Sequence, residues 1–355
     1  MRAWILRDIG KIEYTCDEPV PDFEKDEVLV RVKAAGICGS DIPRVYETGA
    51  HRMPLIIGHE FSGIVERIGS NVDEKWDKKR VGIFPLIPCR KCPSCVKKQY
   101  EMCRQYNYLG SRTNGGFEDY VAVPAKNLIE LPEEVGYEQA AMLEPMSVAV
   151  HAIRRCDLNK DMTVVVSGMG TIGQFVVMFL REHGIKNVFA LGNKLIQKKV
   201  ALSMGLDENN YYDIKNGKAE DWILSATSGR GADVYFECVG KNESVTTGIE
   251  CIIPGGQICL IGNPATDICL EKNTYQHILR KQLILRGAWN SSFLGDSDLQ
   301  SGNDDWNYVV RCLKERKILP QKVITHRYEL SQMEEGLKLM RDKTEEYVKV
   351  MMILE

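Results

Sequence analysis

Four cysteines in the first third of the chain have the spacing of a metal site. Cys89, Cys92 and Cys95 are separated by two residues each, and Cys103 follows within the same fifteen positions. Four thiolates can surround one tetrahedral zinc ion. Disulfides are the alternative, but cysteines two residues apart rarely meet disulfide geometry. The spacing therefore predicts a structural zinc site.

A second set of potential zinc ligands lies outside this cluster: Cys38, His59, Glu60 and Glu144. A thiolate, an imidazole and a carboxylate form a catalytic zinc set with one position open for a substrate oxygen. Taken alone, His59 is more typical of a hydrogen-bonded structural histidine. Glu144, in an apolar stretch before a proline, fits a carboxylate at a helix end equally well. Their joint presence favours a catalytic metal.

A nucleotide-binding pattern begins after residue 160. A short apolar strand over 163–167 runs into G-x-G-x-x-G and an apolar helix that extends to about residue 183. Glycines in this setting allow a tight turn and a close approach of the backbone to a pyrophosphate, which the helix start attracts. The predicted cofactor-binding residues here are Gly168, Gly170, Thr171, Ile172 and Gly173.

The end of the next predicted strand bears on the choice of cofactor. Enzymes that prefer NAD usually carry Asp or Glu here to accept hydrogen bonds from the adenosine ribose, whereas this chain has Gly192, Asn193 and Lys194. Without the carboxylate a 2′-phosphate is not repelled, and Lys194, Lys198 or Lys199 can supply charge. We therefore predict NADP(H), the alternative being NAD held by backbone contacts with the lysines solvated.

The elements that must position these residues form two regions. Residues 1–35 alternate strands and turns, which predicts a half-buried antiparallel sheet. Strands near 187–191, 234–238, 256–262 and from about 278 to 290 alternate with helices, which predicts a doubly wound parallel sheet. The remaining predictions are a polar loop over 298–305, helices over 306–316 and 331–343, and strands over 320–328 and from 347 onward.

Composition narrows the class of protein. A chain of 355 residues with 44% hydrophobic content is long enough for two cores. A net charge of −3 and a pI near 6.2 give no sign of nucleic-acid binding. No apolar run reaches the ~18 residues of a membrane span, and the scattered cysteines suit a reducing compartment. We predict a cytoplasmic protein without a membrane or nucleic-acid partner.

The order of these motifs resembles the zinc-dependent medium-chain alcohol and polyol dehydrogenases over nearly the whole chain. The resemblance implies an α/β protein with a GroES-like β-rich catalytic domain and a Rossmann doubly wound parallel-sheet domain. It implies a homodimer or homotetramer. The domains implied are residues 1–150 and 288–355 for the catalytic domain, with the zinc lobe at about 85–110, and residues 151–287 for the Rossmann domain.

The resemblance also implies roles for the ligand residues. Cys38, His59 and Glu144 match the ligands of the catalytic zinc, with Glu60 as an alternate, and Ser40 matches the hydroxyl that passes the substrate proton outward. The four clustered cysteines match the structural zinc site, which makes two zinc ions per chain. Sorbitol-type relatives carry a histidine where this chain has Ile42-Pro43. The implied reaction transfers hydride from a secondary alcohol to nicotinamide.

Within the family, the motifs around Cys38, Gly58 and Gly110 look most like those of members that oxidise sugar-alcohol phosphates. That likeness makes the cationic side chains near the zinc motifs candidates for holding a phosphate. Rival hypotheses are an oxidation of unphosphorylated polyols or pentitol phosphates, and a non-catalytic NAD(P)-binding protein on the same scaffold. The predicted substrate-binding residues are Arg44, His51, Arg112, Glu144, Trp289 and Asn290.

Overall fold

The computed structural model describes residues 1–295 and 304–354. The chain forms two compact units, one of Met1–Ser147 with Ser291–Glu355 and the other of Val148–Asn290. The predicted polar loop over 298–305 lies mostly outside the described residues, and Asp305 already begins a helix. Among the described residues, no helix has both the length and the apolar character needed to cross a bilayer.

The first unit is built on a seven-stranded sheet. The long strand Glu27–Ile37 is its centre, because it pairs antiparallel with three other strands. β-branched residues recur at alternate positions of this strand and point into the core. In sheet order the strands are Leu128–Glu130, Arg80–Ile83, Glu60–Ile68, Glu27–Ile37, Lys349–Ile353 and Ile324–Glu329, with Tyr120–Pro124 also paired to Glu27–Ile37.

Two smaller sheets and several helices complete this unit. One sheet orders Lys11–Thr15, Ala3–Asp8 and Leu55–Ile56, and the other pairs Leu86–Ile87 with Asn107–Tyr108. Its α-helices are Asp41–Tyr46, Pro93–Val96, Tyr137–Ala141, Asp305–Lys314 and Met333–Asp342, with 3-10 turns at Glu74–Trp76, Tyr100–Met102, Ala125–Asn127, Pro320–Val323 and Leu330–Gln332. The helix Leu143–Arg154 carries the chain into the second unit.

The second unit is a six-stranded parallel sheet. In sheet order its strands are Tyr211–Asp213, Asn187–Gly192, Thr163–Ser167, Ala232–Glu237, Ile252–Leu260 and Ile284–Gly287. Numbered along the chain this order is 3-2-1-4-5-6, which is the Rossmann arrangement. Its α-helices are Thr171–Glu182, Leu195–Ser203, Ala219–Ala226, Asn242–Cys251 and Lys272–Arg280, with 3-10 turns at Glu208–Asn210 and Ile214–Asn216. The predicted fold class is confirmed.

One predicted element is wrong. The strand expected from about residue 278 begins only at Ile284, because Lys272–Arg280 is a helix. The apolar residues on both sides of Gln282 look like one continuous strand in the sequence. Gln282 has a φ of +49°, which separates the helix from the strand. Thr274 is buried and Ile278 partly buried, four positions apart as on one face of a helix.

Candidate active site

The four clustered cysteines converge in the structure. Their sulfur atoms lie within 4.8 Å of one another, and all four thiols are free. Cys89 Sγ is 3.9 Å from Cys95 Sγ, and Cys92 Sγ is 4.0 Å from Cys103 Sγ. A tetrahedral ion with Zn–S bonds of about 2.3 Å separates its thiolates by about 3.8 Å. The donor set and its spacing fit a structural zinc ion.

Backbone amides of the lobe point at these sulfur atoms. The amide of Cys89 lies 3.3 Å from Cys103 Sγ, and the amide of Cys92 lies 3.4 Å from Cys89 Sγ. The amides of Arg104 and Cys95 lower the pKa of the Cys92 thiol to about 6, because they stabilise its charged form. Burial raises the pKa of the Cys95 thiol to about 12. A bound cation removes that penalty by drawing the thiols into the thiolate form.

A second cluster joins Cys38, His59 and Glu60, whose ligand atoms also lie within 4.8 Å of one another. Cys38 follows the strand Glu27–Ile37, and Glu60 begins the neighbouring strand opposite Gly36. A Cβ atom at Gly36 would lie 2.4 Å from Glu60 Oε2, so a larger residue here would displace that carboxylate. The strand pairing therefore assembles a sulfur, a nitrogen and an oxygen ligand, which fits a catalytic zinc ion.

The buried carboxylate of Asp41 organises this cluster. Asp41 Oδ2 accepts a hydrogen bond of 3.0 Å from the amide of Cys38, and Oδ1 lies 3.5 Å from His59 Nδ1 and also pairs with Arg44. Burial alone would raise the pKa of Asp41, but His59 and Arg44 hold it below its usual value. Burial likewise opposes a proton on His59, yet Asp41 and Cys38 raise its pKa well above normal. By residue type Asp41 is typical of a helix cap, and no motif in the sequence marks it as a partner of His59.

Glu60 has a buried cationic partner. Lys349 Nζ pairs with Glu60 Oε2 and donates a 2.9 Å hydrogen bond to the carbonyl of Ile37. Both side chains of the ion pair are almost fully buried. Because Glu60 is already neutralised, it has less need of a metal than an isolated carboxylate has. No motif in the sequence marks Lys349 as part of this site, because it lies in the last strand, Lys349–Ile353, far from the ligand residues in sequence.

Glu144 lies beside the cluster rather than within it. It belongs to the first turn of the helix Leu143–Arg154, and its Oε1 accepts a 3.1 Å hydrogen bond from the hydroxyl of Tyr108. Burial raises the pKa of Glu144 to about 7, with Glu60 adding to the shift and His59 opposing it. Burial and Glu144 raise the pKa of Tyr108 well above its usual value, so its hydroxyl stays a donor. A cation would restore the charge of Glu144.

The predicted proton-transfer and phosphate residues lie near the ligand cluster. Ser40 Oγ is 3.3 Å from Cys38 Sγ. Burial lowers the pKa of His51, and the positive charges of Arg112 and Arg44 lower it further. Both arginines are therefore close enough to His51 to act on its charge. The guanidinium of Arg112 stacks 4.4 Å from the ring centre of Tyr106. Its buried Nε atom makes no hydrogen bond among the described residues.

Trp289 and Asn290 belong to the second unit, not to the unit that holds the ligand cluster. Trp289 is 58% exposed, and Asn290 has a φ of +57°. Their predicted contact with substrate therefore stays a prediction.

The second unit contains a cavity of 890 Å³ at the end of its parallel sheet. Four of the predicted cofactor-binding residues line it, namely Gly168, Gly170, Gly192 and Asn193, whereas Thr171, Ile172, Gly173 and Lys194 are not among its lining residues. Gly168 has a φ of +91°, and the helix that follows begins at the cavity. A glycine turn at a helix start fits a pyrophosphate.

The lysines near this cavity differ from those expected. Lys198 Nζ pairs with Glu208 at 2.9 Å, so its charge is already balanced. Lys218 and Lys241 line the cavity, and neither makes an ion pair with any residue that the structure describes. The sequence pattern does not indicate either lysine, because the motif for the ribose-binding residue covers only the strand end near residue 193.

Comparison with known proteins places this site in a family. Residues 24–133 match the family model described as "Alcohol dehydrogenase GroES-like domain". Residues 171–315 match the one described as "Zinc-binding dehydrogenase". Together the two matches span more than half of the chain.

Several characterised proteins are similar over most of the chain. Galactitol 1-phosphate 5-dehydrogenase of Escherichia coli K12 is 32% identical over 91% of this chain and 92% of its own length. L-idonate 5-dehydrogenase of Vitis vinifera is 30% identical over 94% of this chain and 88% of its own length.

Solved structures agree with the sequence comparisons. The crystal structure of the Escherichia coli galactitol-1-phosphate dehydrogenase superposes with a TM-score of 0.90 at 30% identity, covering 99% of this chain and 100% of that one. A zinc-binding dehydrogenase from Sinorhizobium meliloti 1021, solved bound to NADP, gives a TM-score of 0.89 at 25% identity, covering 99% and 98%. The resemblance drawn from sequence motifs is confirmed.

Proposed function

This chain belongs to the zinc- and NAD(P)-dependent medium-chain alcohol and polyol dehydrogenases, and we propose that it oxidises a secondary alcohol of a sugar-alcohol phosphate resembling galactitol 1-phosphate. The product is the ketose phosphate. A zinc ion held by the cluster around His59 would supply positive charge for the alcohol oxygen, NAD(P) would accept the hydride from the carbinol carbon, and the hydroxyl proton would leave by way of Ser40.

Cys38, His59 and Glu144 are the proposed ligands of the catalytic zinc, with Glu60 as the alternate. The short separations within Cys38, His59 and Glu60 support the alternate. The ion pair between Glu60 and Lys349 supports Glu144, because that carboxylate lacks a cationic partner of comparable closeness among the described residues. Ser40 is the proposed carrier of the substrate proton, since its hydroxyl adjoins the sulfur of Cys38.

Two arginines beside the ligand cluster support the phosphate assignment. The positive charges of Arg112 and Arg44 both lower the pKa of His51, so both guanidinium groups lie near that ring, and the buried Nε of Arg112 makes no hydrogen bond among the described residues. Arginine presents a planar fork that suits phosphate oxygens. The named activity of the Escherichia coli relative, which acts on galactitol 1-phosphate, supports the same substrate class.

One observation favours an unphosphorylated polyol instead. Arg44 already pairs with the buried carboxylate of Asp41, so its charge is partly used within the protein. Relatives of similar identity include enzymes named for unphosphorylated substrates, such as L-idonate 5-dehydrogenase. This alternative leaves Arg112 and His51 with no phosphate to bind.

We favour NADP(H) as the cofactor. Asn193 lies on the cavity wall where a ribose-binding carboxylate would repel a 2′-phosphate. Lys218 and Lys241 also line this cavity and bring positive charge to it. The NADP-bound structure of the Sinorhizobium meliloti relative is consistent with this choice.

A substrate panel run with both cofactors tests the proposal. We expect kcat/KM for galactitol 1-phosphate to exceed that for galactitol by at least about tenfold, and Arg112→Met to remove that difference while leaving galactitol oxidation unchanged. Equal efficiency with the two substrates would exclude the phosphate assignment. A Lys126→Met variant, altered at an exposed lysine of the same unit, is the matched control for loss of a charge.

We further propose a homodimer or homotetramer that works in the cytoplasm, where reduced thiols can hold zinc. The strand Ile284–Gly287 forms an edge of the parallel sheet, and Ile284 and Leu285 are 41% and 39% exposed. An apolar edge strand is a template for pairing with another chain. Light scattering of a Leu285→Lys variant should then show a smaller mass than the unmodified protein.

A further inference from the structure

The four-cysteine lobe is closed by a very short hairpin. The hairpin pairs Leu86 with Tyr108 and Ile87 with Asn107. The first cysteine of the cluster follows two residues after one strand, and the last comes four residues before the other. A two-residue pairing is too short to be stable by itself. Asn127 also holds the first strand, by donating a 2.8 Å hydrogen bond to the carbonyl of Leu86, and the cluster of sulfur atoms adds a second restraint at the ends of both strands.

One residue of the hairpin reaches the other ligand cluster. The hydroxyl of Tyr108 donates a 3.1 Å hydrogen bond to Glu144 Oε1. Its ring meets the His59 ring edge-on, with centroids 5.8 Å apart and planes inclined by 61°. The hydroxyl of Tyr108 thus contacts Glu144 and its ring contacts His59, and both of these residues are proposed zinc ligands.

The backbone of Tyr108 also fixes the turn that follows. Its carbonyl accepts hydrogen bonds from the amides of Ser111, Arg112 and Thr113, at 3.2, 2.8 and 3.1 Å. A shift of the hairpin would move this carbonyl and the turn with it. The same residue therefore connects the lobe, Glu144 and the turn that carries Arg112.

We propose that Tyr108 is a positioning residue through which the four-cysteine lobe controls the ligand cluster at His59. Cys89 and Cys103 hold the hairpin in place when the lobe binds its ion, and the hairpin then holds the carboxylate of Glu144 through the tyrosine hydroxyl. The two metal sites are consequently coupled in binding free energy. This inference rests on the proposed zinc-dependent function of both clusters.

Zinc release to a chromogenic chelator tests the role of the hydroxyl. In Tyr108→Phe we expect the ion at the His59 cluster to dissociate about ten times faster or more, the range typical of a lost partner of a metal ligand. Because coupling needs both ions, release from the lobe should be the same in Tyr108→Phe and in the native chain once the ion at the His59 cluster has been removed. Tyr106→Phe is the matched control, because the Tyr106 hydroxyl makes no hydrogen bond among the described residues. Equal release rates in the two variants would overturn the proposal.

A double-mutant cycle tests the coupling to the lobe. Cys92→Ser weakens the lobe site, and the affinity of the other site for Co²⁺ can be followed by its visible absorption. We expect Cys92→Ser to lower that affinity in the native background and to have at most a third of that effect in Tyr108→Phe. An equal effect in both backgrounds, or none in either, would contradict the inference.

Metal content separates this inference from the proposed function. Two zinc ions per chain with independent affinities would refute the coupling alone. One ion or none in the native protein would refute the zinc-dependent function, whatever the variants show.

Discussion

The carboxylate of Asp41 lies 3.5 Å from Nδ1 of His59. A carboxylate at this nitrogen favours the tautomer that keeps its proton on Nδ1 and offers the lone pair of Nε2, which is a form in which histidine ligates zinc. Asp41 also accepts from the amide of Cys38. One buried side chain thus orients two proposed zinc ligands.

Replacing Asp41 by asparagine should weaken the catalytic metal site without unfolding the protein. Asp41→Asn keeps the volume of the side chain but removes the charge that balances Arg44 and orients His59. We expect zinc affinity at this cluster to fall about 10–100-fold, the usual effect of losing such a partner. Chelator competition measures the affinity. Asp342→Asn removes a surface carboxylate paired with Arg341 and should leave it unchanged. An unaltered affinity in Asp41→Asn would contradict the role.

The cofactor preference should depend on the residues that line the cavity of the second unit. In Asn193→Asp we expect kcat/KM for NADPH to fall about tenfold or more relative to NADH, because a carboxylate there repels a 2′-phosphate and accepts from ribose hydroxyls. Lys218→Ala should lower only the NADPH value. Lys198→Ala is the control, since Lys198 is paired with Glu208. A native preference for NADH would refute the cofactor proposal.

Of the contacts in the two ligand clusters, those between residues close in sequence could be predicted and those between distant residues could not. The spacing of Cys89, Cys92 and Cys95 was sufficient to predict a converging set of sulfur atoms, because so short a loop can bring its thiols to one ion. Lys349 pairs with Glu60 across 289 positions of sequence. That contact depends on which strands are neighbours in the sheet, and no local pattern encodes it.

The partners of Glu144 and Asp41 were missed for a related reason. Tyr108 stands in a two-residue strand, too short for an alternating pattern to reveal which way its side chain points. Asp41 has the residue type of a helix cap, but the structure shows that its carboxylate faces His59 and Cys38 instead. Local propensity favours a helix start at this residue type but does not indicate which tertiary partners the side chain has.

Glu118 should make stability fall as pH rises. Its side chain is 1% exposed, and neither carboxylate oxygen has a hydrogen-bond partner among the described residues. Burial, with Glu18 and Asp119 nearby, raises its pKa well above the model-compound value of 4.5. The folded state therefore keeps a proton that the unfolded state loses above about pH 4.5, and stability declines from there until the folded-state pKa is passed.

Urea unfolding of Glu118→Gln between pH 5 and 8 checks this effect. The variant should lose the part of the pH dependence that Glu118 contributes, and at pH 8 it should be more stable than the native protein by on the order of 1–3 kcal/mol, because Glu118 must take up a proton on folding and glutamine need not. Glu133→Gln, at an exposed site, should keep the native profile. Parallel profiles for Glu118→Gln and the native protein would disprove the assignment.

Replacing two glycines of the nucleotide-binding motif by alanine should have different effects on stability and on cofactor binding. A Cβ atom at Gly173 would lie 1.9 Å from the carbonyl oxygen of Gly168, a backbone atom that cannot turn away, whereas a Cβ atom at Gly170 would meet nothing within 4 Å. Gly173→Ala should therefore lower the melting temperature of the protein and weaken cofactor binding with it. Gly170→Ala should preserve the melting temperature but weaken binding, because the added methyl group occupies the space that the pyrophosphate needs. Differential scanning calorimetry and titration with NADPH separate the two effects. Equal losses of melting temperature in both variants would show that Gly170 serves packing rather than the approach of the cofactor.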